Sequence, residues 1–227
     1  LGKEQSAAGW VQATYITPDT QFLSARADER FLTRFSELVQ QAKAFDGVTL
    51  DAADARALKL LRLDVSAPAP DDPARRAELT RLAARLEAGY GAATVCLDGQ
   101  EHCVSVDELG ERMAGSRDYA ELTRLWTAWH DTAAPRRADY TRFVELANAG
   151  ARELGFADMG ALWRSRYDMS PEAFQSEAER LWQQVRPLYV ALHCYARTRL
   201  AAHYGADKVR AGQPIPAQLF GNMWAQQ

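Results

Sequence analysis

The sequence predicts an all-α chain with at most one short β-hairpin. Three observations carry this. Apolar residues recur at three- and four-residue intervals through most of the 227 residues. Alternating strand-like patterns are confined to one stretch. Helix start and stop signals fall where the periodic runs begin and end.

Residues 28–45 place Phe31, Leu32, Phe35, Leu38, Val39, Ala42 and Phe45 on one stripe, and Asp46-Gly47 stops it. Residues 52–63 form a second helix through Leu58, Leu60, Leu61 and Leu63. Residues 66–73 hold three prolines, which remove three donors and fix φ, so a rigid, solvated connection is expected. Residues 74–90 resume the helix, with Leu79, Leu82, Leu86 and Tyr90 on one face and Gly89 and Gly91 softening its end. Residues 92–106 are the hairpin candidate: Thr94-Val95-Cys96, a turn at Asp98-Gly99, then Cys103 to Val106. Asp107 can cap the following helix, and Ser116 or Asp118 can start the next, which carries Leu122, Leu125, Trp126 and Trp129. A helix over 139–154 ends at Gly155. Ser170-Pro171-Glu172 combines an N-cap hydroxyl, a first-turn proline and a dipole-favoured acid. The helix it starts runs to Tyr204, with Gly205 as C-cap and a kink expected at Pro187. Pro214-Ile215-Pro216 opens a last element, and no repeat of fixed period is present.

The length fits one large domain or two small ones. With 47% hydrophobic and 25% charged residues, the chain can bury a core. A net charge of −3 offers nothing to a polyanion, so no nucleic-acid partner is expected. No apolar run approaches the roughly 18 residues of a membrane span. The first residues carry no basic stretch followed by an apolar one, so a secretory leader is expected to be absent or already removed. Cys96 and Cys103 bracket a short turn-like segment. Closed as a disulfide, that loop adds about 2.5 kcal/mol and favours an oxidising compartment. Two reduced cysteines beside a hairpin in a cytosolic protein is the other reading. Cys194 lies in an apolar helical pattern and reads as a small buried hydrophobe.

Catalytic motifs are absent. A zinc hydrolase needs two histidines one helical turn apart with a glutamate beside one of them. His102, His130, His193 and His203 include no such pair, and His193 and His203 fall about 280° apart around a helix. No Gly-x-Ser-x-Gly elbow, phosphate-binding loop, dinucleotide fingerprint or Cys-x-x-Cys pair is present. Trp126, Trp129, Trp163, Trp182 and Trp224 read as core packing, with substrate stacking the lesser reading. The run Trp163-Arg164-Ser165-Arg166-Tyr167 reads as a surface cation–π or salt-bridge cluster, or as an anion or carboxylate clamp, because arginine stays charged even when buried. Composition and spacing alone thus describe a soluble helical protein without a complete catalytic set.

Seven ordered segments nevertheless resemble one family. They are Tyr90 to Cys96 with the short loop to Cys103, Ser116 to Tyr119, Leu125 to Trp129, Trp163 to Tyr167, Leu188 to Tyr195, His203 to Ala206, and Pro214 to Gln226. In order and spacing they are similar to the N-terminal part of angiotensin-converting enzyme and its bacterial relatives, closely over about residues 75–226 and loosely over 1–74. The resemblance implies the N-terminal portion of a two-lobed helical zinc-peptidase fold with a deep channel. It makes residues 1–227 the first part of a peptidyl-dipeptidase catalytic domain. Such enzymes release dipeptides from the C-terminus of oligopeptides, and a zinc-bound water attacks the scissile carbonyl.

The family's His-Glu-x-x-His motif lies downstream of the Gly221 to Gln226 segment. The chain is therefore expected to stop short of its zinc ligands and base, to be inactive alone, and to need the missing C-terminal half. The resemblance carries over a few positions. Cys96 and Cys103 match the family's first small disulfide, which implies a periplasmic or secreted protein. Asp107 matches an acid lining a substrate pocket, and Glu87 an acid facing the channel. Asp107 also reads as a helix N-cap and Glu87 as solvated surface. Arg164 matches the arginine of one chloride site of the animal enzymes, and Tyr204 the tyrosine of the other. The competing reading is a non-catalytic helical module that binds a peptide or a partner. Leu219, Phe220, Met223 and Trp224 are expected to be left without partners, so self-association or marginal stability is expected as well.

Overall fold

The computed structural model describes residues 2–64, 67–97 and 102–226. Among these, nine α-helices follow in order. They are α1 (Gly2–Thr14), α2 (Pro18–Ala42), α3 (Ala52–Leu63), α4 (Pro73–Gly91), α5 (Val106–Gly115), α6 (Tyr119–Asp131), α7 (Arg137–Glu153), α8 (Met159–Arg164) and α9 (Pro171–Tyr204). The chain divides into two compact units, residues 1–92 with 136–178 and residues 93–135 with 179–227. No helix among the described residues is long and apolar enough to cross a membrane.

In the first unit α2 packs on α1 and α4, and α4 packs on α7. Leu32, Phe35 and Val39 of α2 meet Leu79 and Leu82 of α4 and Leu146 and Ala147 of α7 in one apolar cluster. The predicted stripe is therefore the core face of α2. The helix itself starts ten residues earlier than the stripe. Thr17 accepts from the Thr20 amide at 3.1 Å, the Thr20 hydroxyl accepts from the Thr17 amide at 2.9 Å, and Pro18 supplies a preset φ. The expectation of a solvated proline segment holds for Asp71, Asp72 and Pro73, which are exposed, and is corrected for Pro68 and Pro70, which are fully buried. Gly150 of α7 makes room for the segment: a Cβ there would lie 2.5 Å from the Pro68 carbonyl carbon. Arg142 binds Glu78 through both carboxylate oxygens at 2.8 and 2.9 Å, tying α7 to α4. The Glu78 carboxyl is held below its usual range by that guanidinium.

The second unit is built on a core of Leu109 and Met113 from α5 and Leu122, Leu125 and Trp129 from α6. Met223, only 1% exposed, and Leu219 complete that core, so the expectation that they lack partners is corrected. Trp224 alone of that stretch stays strongly exposed. The hairpin reduces to one antiparallel bridge, with Val95 and Val104 exchanging bonds of 2.9 and 2.8 Å. The expected turn at Asp98-Gly99 lies outside the described residues. Cys96 and Cys103 form the disulfide. The element after Pro216 is a single turn of 3-10 helix, Ala217–Leu219.

Helix α9 starts at Ser170, whose hydroxyl accepts from the Ala173 amide at 3.1 Å. It runs unbroken through Pro187 and stops at Gly205, whose φ of +93° suits glycine. None of its residues is buried, and Leu188 is 73% exposed. Two expectations are corrected here. Cys194 is a free, exposed thiol rather than a core residue, and Val190, Leu192 and Tyr195 near it on α9 are exposed as well. Of the tryptophans, Trp129 is buried, whereas Trp163, Trp182 and Trp224 are exposed.

Candidate functional site

The carboxylates singled out in the sequence sit on helix ends fixed by local chemistry. Glu87 lies in the C-terminal part of α4 and is exposed. Below it is Gln12, a fully buried amide on α1 that the sequence analysis overlooked. Its Nε2 donates to the Ala84 carbonyl at 3.1 Å and to Glu87 Oε2 at 3.5 Å. Two acceptors on one side fix the orientation of the amide. Its Oε1 is buried and has no donor among the described residues. Helix α1 has almost no apolar pattern, so a buried glutamine on it left no signal in the sequence.

Asp107 is exposed in the first turn of α5. It is not the cap it was expected to be. Ser105 holds that position and accepts from the Glu108 amide at 3.3 Å. Asp107 is then free of a capping role, though its charge still favours the helix N-terminus. The Val95–Val104 bridge and the disulfide anchor the chain just before this cap.

Arg164 ends α8, which Asp158 caps by accepting from the Ala161 amide at 2.7 Å. The Arg164 Nε is buried without a partner among the described residues. A buried guanidinium N–H left unpaired suits an acceptor or an anion. The neighbouring Arg166 is differently employed, donating from Nε to the Leu63 carbonyl at 2.7 Å. Tyr204, in the last turn of α9, packs edge-on against Tyr119 at 6.3 Å between ring centres. Lys208 Nζ sits 5.5 Å from the centre of the Tyr119 ring. Glu87 and Arg164 belong to the first unit, and Asp107, Tyr204, Cys96 and Cys103 to the second. Within the first unit Glu87 and Arg164 share no bond among the described residues.

Two further carboxylates were not anticipated. Asp168 has a φ of +56°, unusual for a non-glycine residue. Arg56 grips it through both oxygens at 3.0 Å, with Lys59 at 3.5 Å, and holds its carboxyl below the usual range. Asp28 is pushed the other way by burial, with Gln5 donating to it at 2.9 Å. Both read as structural.

The described residues offer no site that fits a zinc ion. Among the described residues no group of three or more histidine, cysteine, aspartate or glutamate side chains could hold a metal. His130 stacks on Trp126 at 3.7 Å between ring centres and shares its Nδ1 with the Trp126 carbonyl at 2.7 Å. His193 stacks on Tyr189, and His203 meets Tyr204 edge-on.

The angiotensin-converting enzyme family model matches residues 1–227, and this chain belongs to that family. It is 38% identical over 229 residues to angiotensin-converting enzyme of Bos taurus, covering 98% of this chain and 17% of that protein. It is 36% identical over 225 residues to angiotensin-converting enzyme-like protein Ace3 of Mus musculus, covering 96% of this chain and 29% of that protein. The enzyme of Haematobia irritans exigua is 30% identical over 229 residues, covering 98% of this chain and 37% of that protein. The chain thus spans less than a third of the first two relatives.

Proposed function

We propose that this chain is the N-terminal part of a zinc peptidyl-dipeptidase that releases C-terminal dipeptides from oligopeptides. The observation that carries the reading is the family match across the whole chain. Zinc, when bound, supplies the Lewis acid and the activated water. Its ligands and the general base lie outside these 227 residues, so the isolated chain is inactive. What this chain supplies is binding. Glu87 is an exposed carboxylate of the first unit and Asp107 one of the second, and in this reading each serves as a separate substrate contact. Gln12 steadies Glu87 from beneath. Arg164 and Tyr204 each contribute to a chloride site, and the unpaired Arg164 Nε supports the first of these. The disulfide supports a periplasmic or secreted location.

The absence of a paired-histidine motif favours a second reading, a non-catalytic peptide-binding module. Intact mass, zinc content and dipeptide release from a blocked pentapeptide, measured on protein from the native source, separate the two. The peptidase reading expects a species larger than the 25.3 kDa of this chain, one zinc and C-terminal dipeptide products. A 25.3 kDa species that binds peptide without zinc or turnover establishes the module instead.

A further inference from the structure

A cavity of about 360 Å³ lies within the second unit, between the end of α5, α6, the last turn of α9 and the Ala217–Leu219 turn. That is the size of a site for a small organic molecule. Its floor is apolar, formed by Met113, Leu122 and Leu219, all buried. Its polar side chains include no carboxylate: they are Ser116, Arg117, His203, Tyr204 and Gln218.

Arg117 is the distinctive member. It lies in the link between α5 and α6, and its Nη1 donates to the Ala114 carbonyl at 2.8 Å and the Ser116 carbonyl at 2.7 Å. These are carbonyls at the open end of α5, where cationic donors are favoured. One nitrogen thus pins the guanidinium. Its Nε and Nη2 make no hydrogen bond, and no carboxylate pairs with it, among the described residues. The neighbouring Glu121 is committed elsewhere, accepting from the Ser116 hydroxyl at 2.6 Å. Gln218 is also held in place, donating to the Thr123 hydroxyl at 3.0 Å. A pinned guanidinium with free donors is pre-organised for the planar fork of a carboxylate. The apolar floor beside it suits a hydrocarbon body.

We infer that this cavity binds a small monocarboxylate with an apolar body, the carboxylate on Arg117 and the body against Met113, Leu122 and Leu219. The inference goes beyond the peptidase reading and does not rest on it. Tyr204 also lines the cavity, so chloride is the competing occupant to be distinguished.

Amide shifts of the 227-residue chain, titrated in chloride-free buffer with hexanoate, hexylamine and sodium chloride in turn, test it. Hexanoate is expected to give saturable shifts at Met113, Gln218 and Leu219, with a Kd on the order of 1 mM. Hexylamine and chloride are expected not to reproduce them. Arg117→Gln is expected to weaken hexanoate binding about tenfold, and Arg117→Lys, which keeps the charge but loses the fork, by several-fold. Arg137→Gln, on α7, is expected to leave it unchanged. The inference is overturned by any of three results: no saturable shift at these residues up to about 20 mM, some twenty times that Kd; equal shifts with hexylamine or chloride; or unchanged affinity in an Arg117 variant whose amide spectrum is otherwise that of the parent chain.

Discussion

Replacing Gly150 by alanine sets two opposing effects against each other. Gly150 lies inside α7 with helical φ, so alanine suits its backbone and alone would add about 1 kcal/mol of helix propensity. Space opposes it. The new Cβ would fall 2.5 Å from the Pro68 carbonyl carbon and 2.7 Å from the Ala69 carbonyl carbon, with the Pro68 oxygen closer still. Ordinary contact needs 3.4–4 Å. The obstruction is backbone, so no rotamer change relieves it. Its segment is seated by the buried Pro68 and Pro70 and must move by about 1 Å, which falls in the overpacking range of about 3 kcal/mol. The net expectation is a loss of about 2 kcal/mol, or about 4–8 °C in Tm for a chain of this size. Urea denaturation read by circular dichroism measures it. Gly110→Ala is the control, because nothing lies within 4 Å of its added Cβ. It should gain about 0.5–1 kcal/mol. If Gly150→Ala proves as stable as the parent chain, the close approach of the proline segment is not real and the argument fails.

Removing the disulfide with Cys96→Ser and Cys103→Ser should cost about 2.5 kcal/mol in the same assay, from the entropy of an eight-residue loop. Unchanged stability would show that the bridge does not form in solution. Burial raises the Asp28 carboxyl above its unfolded value, so its contribution is full at low pH and lost as pH rises through the raised value. Asp28→Asn should therefore raise Tm at neutral pH and make no difference near pH 3, about a unit below an ordinary aspartate. Arg142 depresses the Glu78 carboxyl, which gives the opposite sign: its contribution is present at neutral pH and lost as pH falls through the depressed value. Glu78→Gln should lower Tm at neutral pH and converge with the parent chain in acid. The exposed apolar residues of α9, Leu188 and Leu192 among them, should drive concentration-dependent association of the isolated chain in sedimentation velocity. Leu188→Glu should reduce it, and a monodisperse parent monomer at every concentration would refute the expectation.

Helices with a one-sided apolar stripe were legible in the sequence because the stripe is the packing face. The spacing of Leu32, Phe35 and Val39, or of Leu122, Leu125 and Trp129, states which side is buried. Caps were legible where a side chain and a proline act together, as at Ser170-Pro171. Three things were hidden. Helix α1 buries a glutamine rather than a stripe, so periodicity had nothing to detect. The missing donors of the proline segment predict a solvated connection, yet Pro68 and Pro70 are buried. A proline has no N–H left to satisfy, which makes it a cheap residue to bury, and Gly150 supplies the room. The buried position of Met223 was hidden because its partners, in α5 and α6, lie a hundred residues away in sequence.

The candidate site shows the same division between what local chemistry writes and what distance conceals. A helix cap is a contact over three residues, and here it decides between two readings of Asp107. With Ser105 already accepting the Glu108 amide, the aspartate is not needed to close the helix. A carboxylate without that structural task and left exposed is available to a ligand, as the proposed pocket role requires. Glu87 gains support differently. A glutamate that is only solvated surface needs nothing beneath it, whereas burying the Gln12 amide against it costs desolvation that one carbonyl bond only partly offsets. That cost is worth bearing where the direction of the carboxylate matters. Gln12→Leu separates the two cases: it removes the orphaned Oε1 at little cost in packing. If Glu87 is merely surface, the variant should be at least as stable as the parent and bind peptide equally well; if Glu87 is a binding group, peptide affinity should fall while stability holds.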